Sequence, residues 1–172
     1  MKGLGLSLLL MCVLHAAQAI PDVVREQAGG WRALGQGTMR WFGLQLYTAE
    51  LWSSRPVYDP ASPFALKLTY ARSFSGVRIA SASVDEMRRI GINDEALLTR
   101  WKAHMDRLFP DVREGDTLTG VNLPGKGVAF YRGEALLGEV NEPAFATAFF
   151  GIWLDARTRE PTLRLQLLGQ AR

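Results

Sequence analysis

The stretch LTGVNLPGKGVAFYRGEALLGEV, residues 118–140, decides the architecture. Residues 118–123, 128–131 and 135–140 are short apolar runs, and the segments between them, Pro124-Gly125 and Arg132-Gly133-Glu134, carry tight-turn residues. Strands joined so closely pair antiparallel, so the spacing predicts a meander of three. Gly125-Lys126-Gly127 reads as one of its hairpin turns rather than a phosphate loop, because it sits between two short strands.

Working outward, Pro143 opens a helix with the stripe Phe145, Phe149, Ile152 and Trp153, and Pro161 opens another with Leu163, Leu167 and Leu168 before Gly169. On the N-terminal side, Leu97, Leu98, Trp101, Met105, Leu108 and Phe109 fall at helical spacing over residues 94–109, and Pro110 ends the pattern. Ser83-Val84-Asp85-Glu86 has the spelling of a capping box, which predicts a short helix from there to about Ile90, stopped by Gly91. Phe64, Leu66, Leu68 and Tyr70 alternate with Ala65, Lys67 and Thr69, the pattern of a half-buried strand. Residues 38–52 read as one long strand. Arg40, Phe42, Leu44, Leu46 and Thr48 share one of its faces and Met39, Trp41, Gln45 and Tyr47 the other, so both are expected to be covered. Gly35-Gln36-Gly37 lacks the third glycine and the following helix of a dinucleotide fingerprint and reads as a turn. Strands, helices, strands and helices in that order predict an α+β fold with an antiparallel sheet, not a doubly wound nucleotide fold.

Residues 1–19 read as a secretory signal: Lys2, an apolar run over residues 4–14, and Ala17-Gln18-Ala19 as the small-x-small cleavage site. Removing 19 of 172 residues leaves 153, one domain over residues 20–172. Cys12 and His15 leave with the signal, so the exported chain has no cysteine and one histidine, His104. That excludes a thiol nucleophile, a disulfide framework and the common zinc spacings, and no cofactor is expected. Losing Lys2 takes Lys+Arg from 20 to 19 against 17 Asp+Glu, a balance of +2 with the basic residues scattered among acids. A nucleic-acid partner is not expected. No later segment is long and apolar enough for a membrane span, so a chain free of stable membrane insertion is expected, in the Gram-negative periplasm or secreted.

Few residues carry chemistry. No Gly-x-Ser-x-Gly elbow accompanies His104, which lies on the flank of its helix's apolar stripe. The acid pairs Asp85/Glu86, Asp94/Glu95 and Asp111/Glu114 stand at helix starts or turns, where they cap amides or complement the helix dipole. Arg40 shares a face with Phe42, Leu44 and Leu46, and a guanidinium in apolar surroundings needs an anion. Tyr47, Tyr70 and Tyr131 put phenols on three different strands. Either these polar groups satisfy the fold itself, or they converge on an apolar pocket suited to a hydrophobic acid or a phenolic compound.

The motifs GTMRWFGLQLY (37–47), LTYAR (68–72), FPDV (109–112), FY (130–131) and FFGIWLD (149–155) occur in an order that resembles bacterial exported proteins of the chalcone isomerase-like family. The resemblance covers nearly all of the chain after residue 19. It implies the chalcone isomerase fold, a large antiparallel sheet with helices packed on one side and a cleft between them. It also implies where the chemistry of plant chalcone isomerases would fall. Their strand threonine aligns near Tyr47 or Thr48, their upstream arginine near Gly35-Gln36, with Arg40 reaching it only across a gap, and their late threonine near Gly151. Their tyrosine and asparagine fall in residues 83–90, which contain neither. Plastid fatty-acid-binding relatives of this fold hold a carboxylate with an arginine and a tyrosine, for which Arg40 and Tyr47 are the analogous pair by type. The expectation is a non-catalytic binder of an apolar small molecule such as a fatty acid or phenolic compound, contacted by Arg40, Tyr47, Tyr70 and Tyr131. The alternatives are an isomerase acting on a chalcone-like unsaturated carbonyl substrate and a structural partner of an envelope assembly.

Overall fold

In the computed structural model, residues 20–28 and 30–171 are described, and the expected signal segment lies outside them. Six strands form one antiparallel sheet in chain order: β1 (Arg32–Trp41), β2 (Leu44–Ser53), β3 (Phe64–Tyr70), β4 (Thr117–Leu123), β5 (Gly127–Arg132) and β6 (Ala135–Val140). Strands β4 to β6 are the meander read from the sequence. Helices α2 (Gly76–Arg89) and α3 (Glu95–Leu108) are inserted between β3 and β4, and α4 (Pro143–Leu154) and α5 (Pro161–Leu167) follow β6. The short α1 (Asp22–Ala28) precedes the sheet.

Strand alternation divides the interior in two. Ala49, Leu51, Phe64, Leu66, Leu68, Tyr70, Leu118, Val128 and Phe130 join the buried faces of α2 to α5 in the main core. On the opposite face Ala65, Val121, Ala129 and Tyr131 pack with Ile20 and with Val24 of α1 in a smaller cluster. That second face also holds an ion pair, Lys67 Nζ to Glu50 Oε1 at 3.1 Å, and the Trp52 indole donates to Glu50 Oε2 at 3.2 Å. Lys67 is 4% exposed, so its charge is desolvated, and the Glu50 carboxylate facing it offsets part of that cost. Strand β3 is therefore covered on both faces, more than its alternation predicts.

Residues 38–52 are not one strand. Trp41-Phe42-Gly43-Leu44 forms a two-residue hairpin with both central residues in the left-handed region, Phe42 at φ 47° and Gly43 at φ 78°, the signature of a type I′ turn. The tip is open to solvent, not covered on both sides: Phe42 is 90% exposed. Gly35 and Gly37 lie inside β1, not in a turn. A Cβ on either would overlap α5, at the Gln166 carbonyl for Gly35 and at the Gln166 side chain for Gly37, so these glycines let a helix approach the strand backbone closely.

The predicted capping box also moves. Helix α2 begins at Gly76 with Ser75 as its cap, whose hydroxyl accepts from the Arg78 amide at 3.4 Å. Ser83 lies mid-helix and donates to the Ile79 carbonyl at 2.9 Å. Helix α3 starts as expected, with Asp94 Oδ1 accepting from the Leu97 amide at 3.0 Å.

Candidate functional site

Between the helix-covered face of the sheet and helices α2 and α4 lies a cavity of about 240 Å³. Its floor is strand-borne: Leu46 and Tyr47 from β2, Leu66, Leu68 and Tyr70 from β3, Leu118 and Gly120 from β4, and Phe130 from β5. Helix α4 contributes Phe149, Ile152 and Trp153, three positions of the stripe read in the sequence. Helix α2 contributes Arg78, Ile79, Ala82, Ser83 and Glu86, spaced to share one side of a helix that starts at Gly76. The β1–β2 register shifts so that Met39 opposes Tyr47 and Arg40 opposes Gln45, which leaves Leu46 as a bulged residue. Such a bulge re-aims side chains and brings both Leu46 and Tyr47 to the cavity.

The few polar groups differ in how far they are already engaged. Tyr47 and Tyr70 are directly paired across β2 and β3, with ring centroids 6.1 Å apart. The Trp153 indole donates to the Tyr47 hydroxyl at 3.0 Å, which leaves the phenolic proton available to a ligand. Burial pushes the Tyr47 phenol up to about 12, and burial together with the neighbouring Tyr47 raises Tyr70. Both are therefore neutral donors at physiological pH, not phenolate bases. Glu86 is held by two guanidinium groups, Arg159 at 2.8 Å and Arg89 at 3.4 Å, and the Ser83 hydroxyl is committed to its own helix. Arg78 is different. Its amide is capped by Ser75, yet among the described residues its guanidinium has no carboxylate partner and stands exposed at the cavity rim.

Of the four residues singled out in the sequence, the structure brings Tyr47 and Tyr70 together in this cavity. Arg40 does not line it. Its side chain is exposed at the end of β1 and donates to the Gly43 carbonyl at 3.4 Å, because the Phe42-Gly43 turn reverses the chain just beyond it. Tyr131 does not line it either, since it alternates onto the opposite face of the sheet and packs in the smaller cluster. His104 is likewise remote from the cavity, with Glu142 at 3.6 Å and Arg107 at 2.7 Å. Glu142 anchors α3 by accepting from the Trp101 indole at 3.0 Å and from Arg100 at 2.8 Å, and these bonds hold its carboxyl below the usual range. The group that sequence reasoning missed is Arg78. Its signal was Ser75 as a helix start, which would have placed Arg78 beside Ile79 and Ala82 on one amphipathic helix.

Such a cavity can do one thing well: enclose an apolar body while offering two neutral hydroxyl donors and one cation to an acidic end. No curated protein is matched by sequence. Among solved structures the chain is similar to a fatty-acid-binding protein of Arabidopsis thaliana, at 11% identity and a TM-score of 0.63, over 82% of this chain and 88% of that one. At this identity the likeness shows the fold alone. The family model described as chalcone isomerase-like matches residues 19–169, so the six-stranded sheet and its helices are the chalcone isomerase-like fold and the chain belongs to the chalcone isomerase-like family.

Proposed function

We propose that this protein binds an apolar small molecule with one acidic group, such as a fatty acid or a phenolic compound, in the cavity between the sheet and α2/α4, without isomerase chemistry. The observation that carries the reading is the Arg78 guanidinium, without a carboxylate partner among the described residues, at the rim of a mostly apolar cavity in which Ser83 and Glu86 are already engaged and the tyrosines are neutral phenols. A carboxylate or phenolate at the rim gains a charge-assisted bond from Arg78, and the apolar remainder is removed from water against Leu66, Leu68, Phe130 and Phe149. The fatty acid bound by the structurally similar plant protein supports this ligand class. The helix positions facing the cavity, Ile79, Ala82, Ser83 and Glu86, supply no phenol or amide, and the one imidazole outside residues 1–19 is on α3 beside Glu142. Hence nothing there serves as a free base.

Native mass spectrometry of the gently purified protein tests this. A co-purifying mass that partitions into organic solvent and carries a carboxyl or phenol is the expected result, together with chalcone cyclisation at the spontaneous rate in an absorbance assay. Turnover clearly above that rate would overturn the non-catalytic reading. We further propose export to the periplasm or beyond the cell, with cleavage after Ala19 and a single domain from Ile20. Intact mass of the protein recovered from the periplasmic fraction checks it, and a mass retaining residues 1–19 would contradict it.

A further inference from the structure

The β1–β2 hairpin ends in an apolar tip that stands largely in solvent. Phe42 is 90% exposed, Leu44 52% and Trp41 46%, three large side chains on four consecutive residues. A phenylalanine in the left-handed region is a costly choice where asparagine or glycine would serve the same turn, and its ring rests edge-on against Trp41, with centroids 5.1 Å apart. The sequence flanking the tip has no acid, and the acid beside it in space, Glu86, is neutralised by Arg159. From residue 27 to residue 49 the chain has no Asp or Glu, and Arg40 lies within that span beside the tip. Arg40 sits one residue before the tip and, among the described residues, donates to the Gly43 carbonyl alone. The Arg159 guanidinium stacks over the Trp41 ring at 5.3 Å and at the same time bridges Glu86 at 2.8 Å. Glu86 lines the cavity, as does Leu46 two residues beyond Leu44, so the tip lies close to that wall of the cavity.

We infer that this tip docks the protein on an anionic lipid surface. Aromatic rings with an apolar body suit the headgroup–acyl boundary, and the exposed Arg40 guanidinium beside them suits anionic headgroups. The docking is peripheral, since no helix among the described residues is long and apolar enough to cross a membrane. It brings the Glu86 and Leu46 wall of the cavity near the membrane, but does not depend on what the cavity holds.

The test uses the chain from Ile20 and two kinds of vesicle, phosphatidylcholine alone and phosphatidylcholine with phosphatidylglycerol, with flotation and tryptophan emission as readouts. The expected result is partition onto the anionic vesicles with a blue shift. Phe42→Ser should weaken partition about tenfold on those vesicles, the scale of withdrawing one aromatic side chain. Arg40→Gln should weaken it about fivefold, and added salt should reduce that difference. Phe42 is too exposed for its loss to unfold the protein, which unchanged thermal melts confirm. Absence of partition, equal partition of wild type and Phe42→Ser, or a self-associated state that Phe42→Ser dissolves in place of vesicle binding would each overturn the proposal.

Discussion

Strand β3 and the β1–β2 hairpin tip are written in similar residues and live in opposite surroundings. In β3 every residue but Thr69 is buried: Phe64, Leu66, Leu68 and Tyr70 meet the helices, and Ala65 and Lys67 meet the second face. At the hairpin tip Trp41, Phe42 and Leu44 are as apolar as anything in β3, yet they stand in solvent. Alternation along a strand identifies its two faces but not how many of them another element covers. What covers β3 is set by chain segments remote in sequence, α1 on one side and α2 to α5 on the other.

The largest effect expected from this contrast is at the buried pair. Glu50→Ala removes the carboxylate facing the 4%-exposed Lys67 and should cost about 3–5 kcal/mol in urea melts. Arg40→Ala at the tip should change stability by less than about 0.5 kcal/mol. A small loss in Glu50→Ala would show that the second face is solvated. Next, Leu66→Ala should cost about 2–5 kcal/mol while Leu44→Ala stays within about 0.5 kcal/mol, and equal losses would break the comparison.

An alkaline effect comes third. The Tyr47 phenol ionises at 10.0 in its ordinary setting and only at about 12 when buried in the folded protein. Between those values the folded chain keeps a proton that the unfolded chain loses. Stability is therefore full below pH 10 and falls as pH rises toward 12, by on the order of 2–3 kcal/mol. Melts across that window should show a flatter decline for Tyr47→Phe, and an unaltered slope would mean the phenol is solvated. The smallest effect has the opposite sign. Phe42→Gly relieves the left-handed strain and should stabilise by about 0.5–1 kcal/mol, measured by thermal unfolding.

Much of the fold was legible because it is punctuated. Pro124-Gly125 and Gly133 mark the meander, Asp94 caps α3, and Pro143 and Pro161 open α4 and α5 where the structure places them. Phe42-Gly43 was not legible, because phenylalanine is no turn former and the apolar alternation runs through the turn without interruption. Gly35 and Gly37 misled for another reason: their purpose is to admit α5, a contact about 130 residues away in sequence that no local pattern announces. The Ser83–Glu86 spelling drew the helix start away from Ser75 and hid the cavity face of α2 along with Arg78. The site was thus half legible. Three tyrosines were readable as strand residues, though not which of them share a face, whereas the cation depended on a helix boundary placed eight residues too late.

The central claim is that the cavity recognises an acidic apolar ligand through Arg78. Calorimetric titration of palmitate into wild type, Arg78→Ala and Arg40→Ala tests it most directly. Loss of affinity in Arg78→Ala alone, by about 1.5–3 kcal/mol as expected for a hydrogen bond to a charged group, is the predicted result. Palmitate binding equally well to wild type and Arg78→Ala, or weakened only by Arg40→Ala, would contradict it.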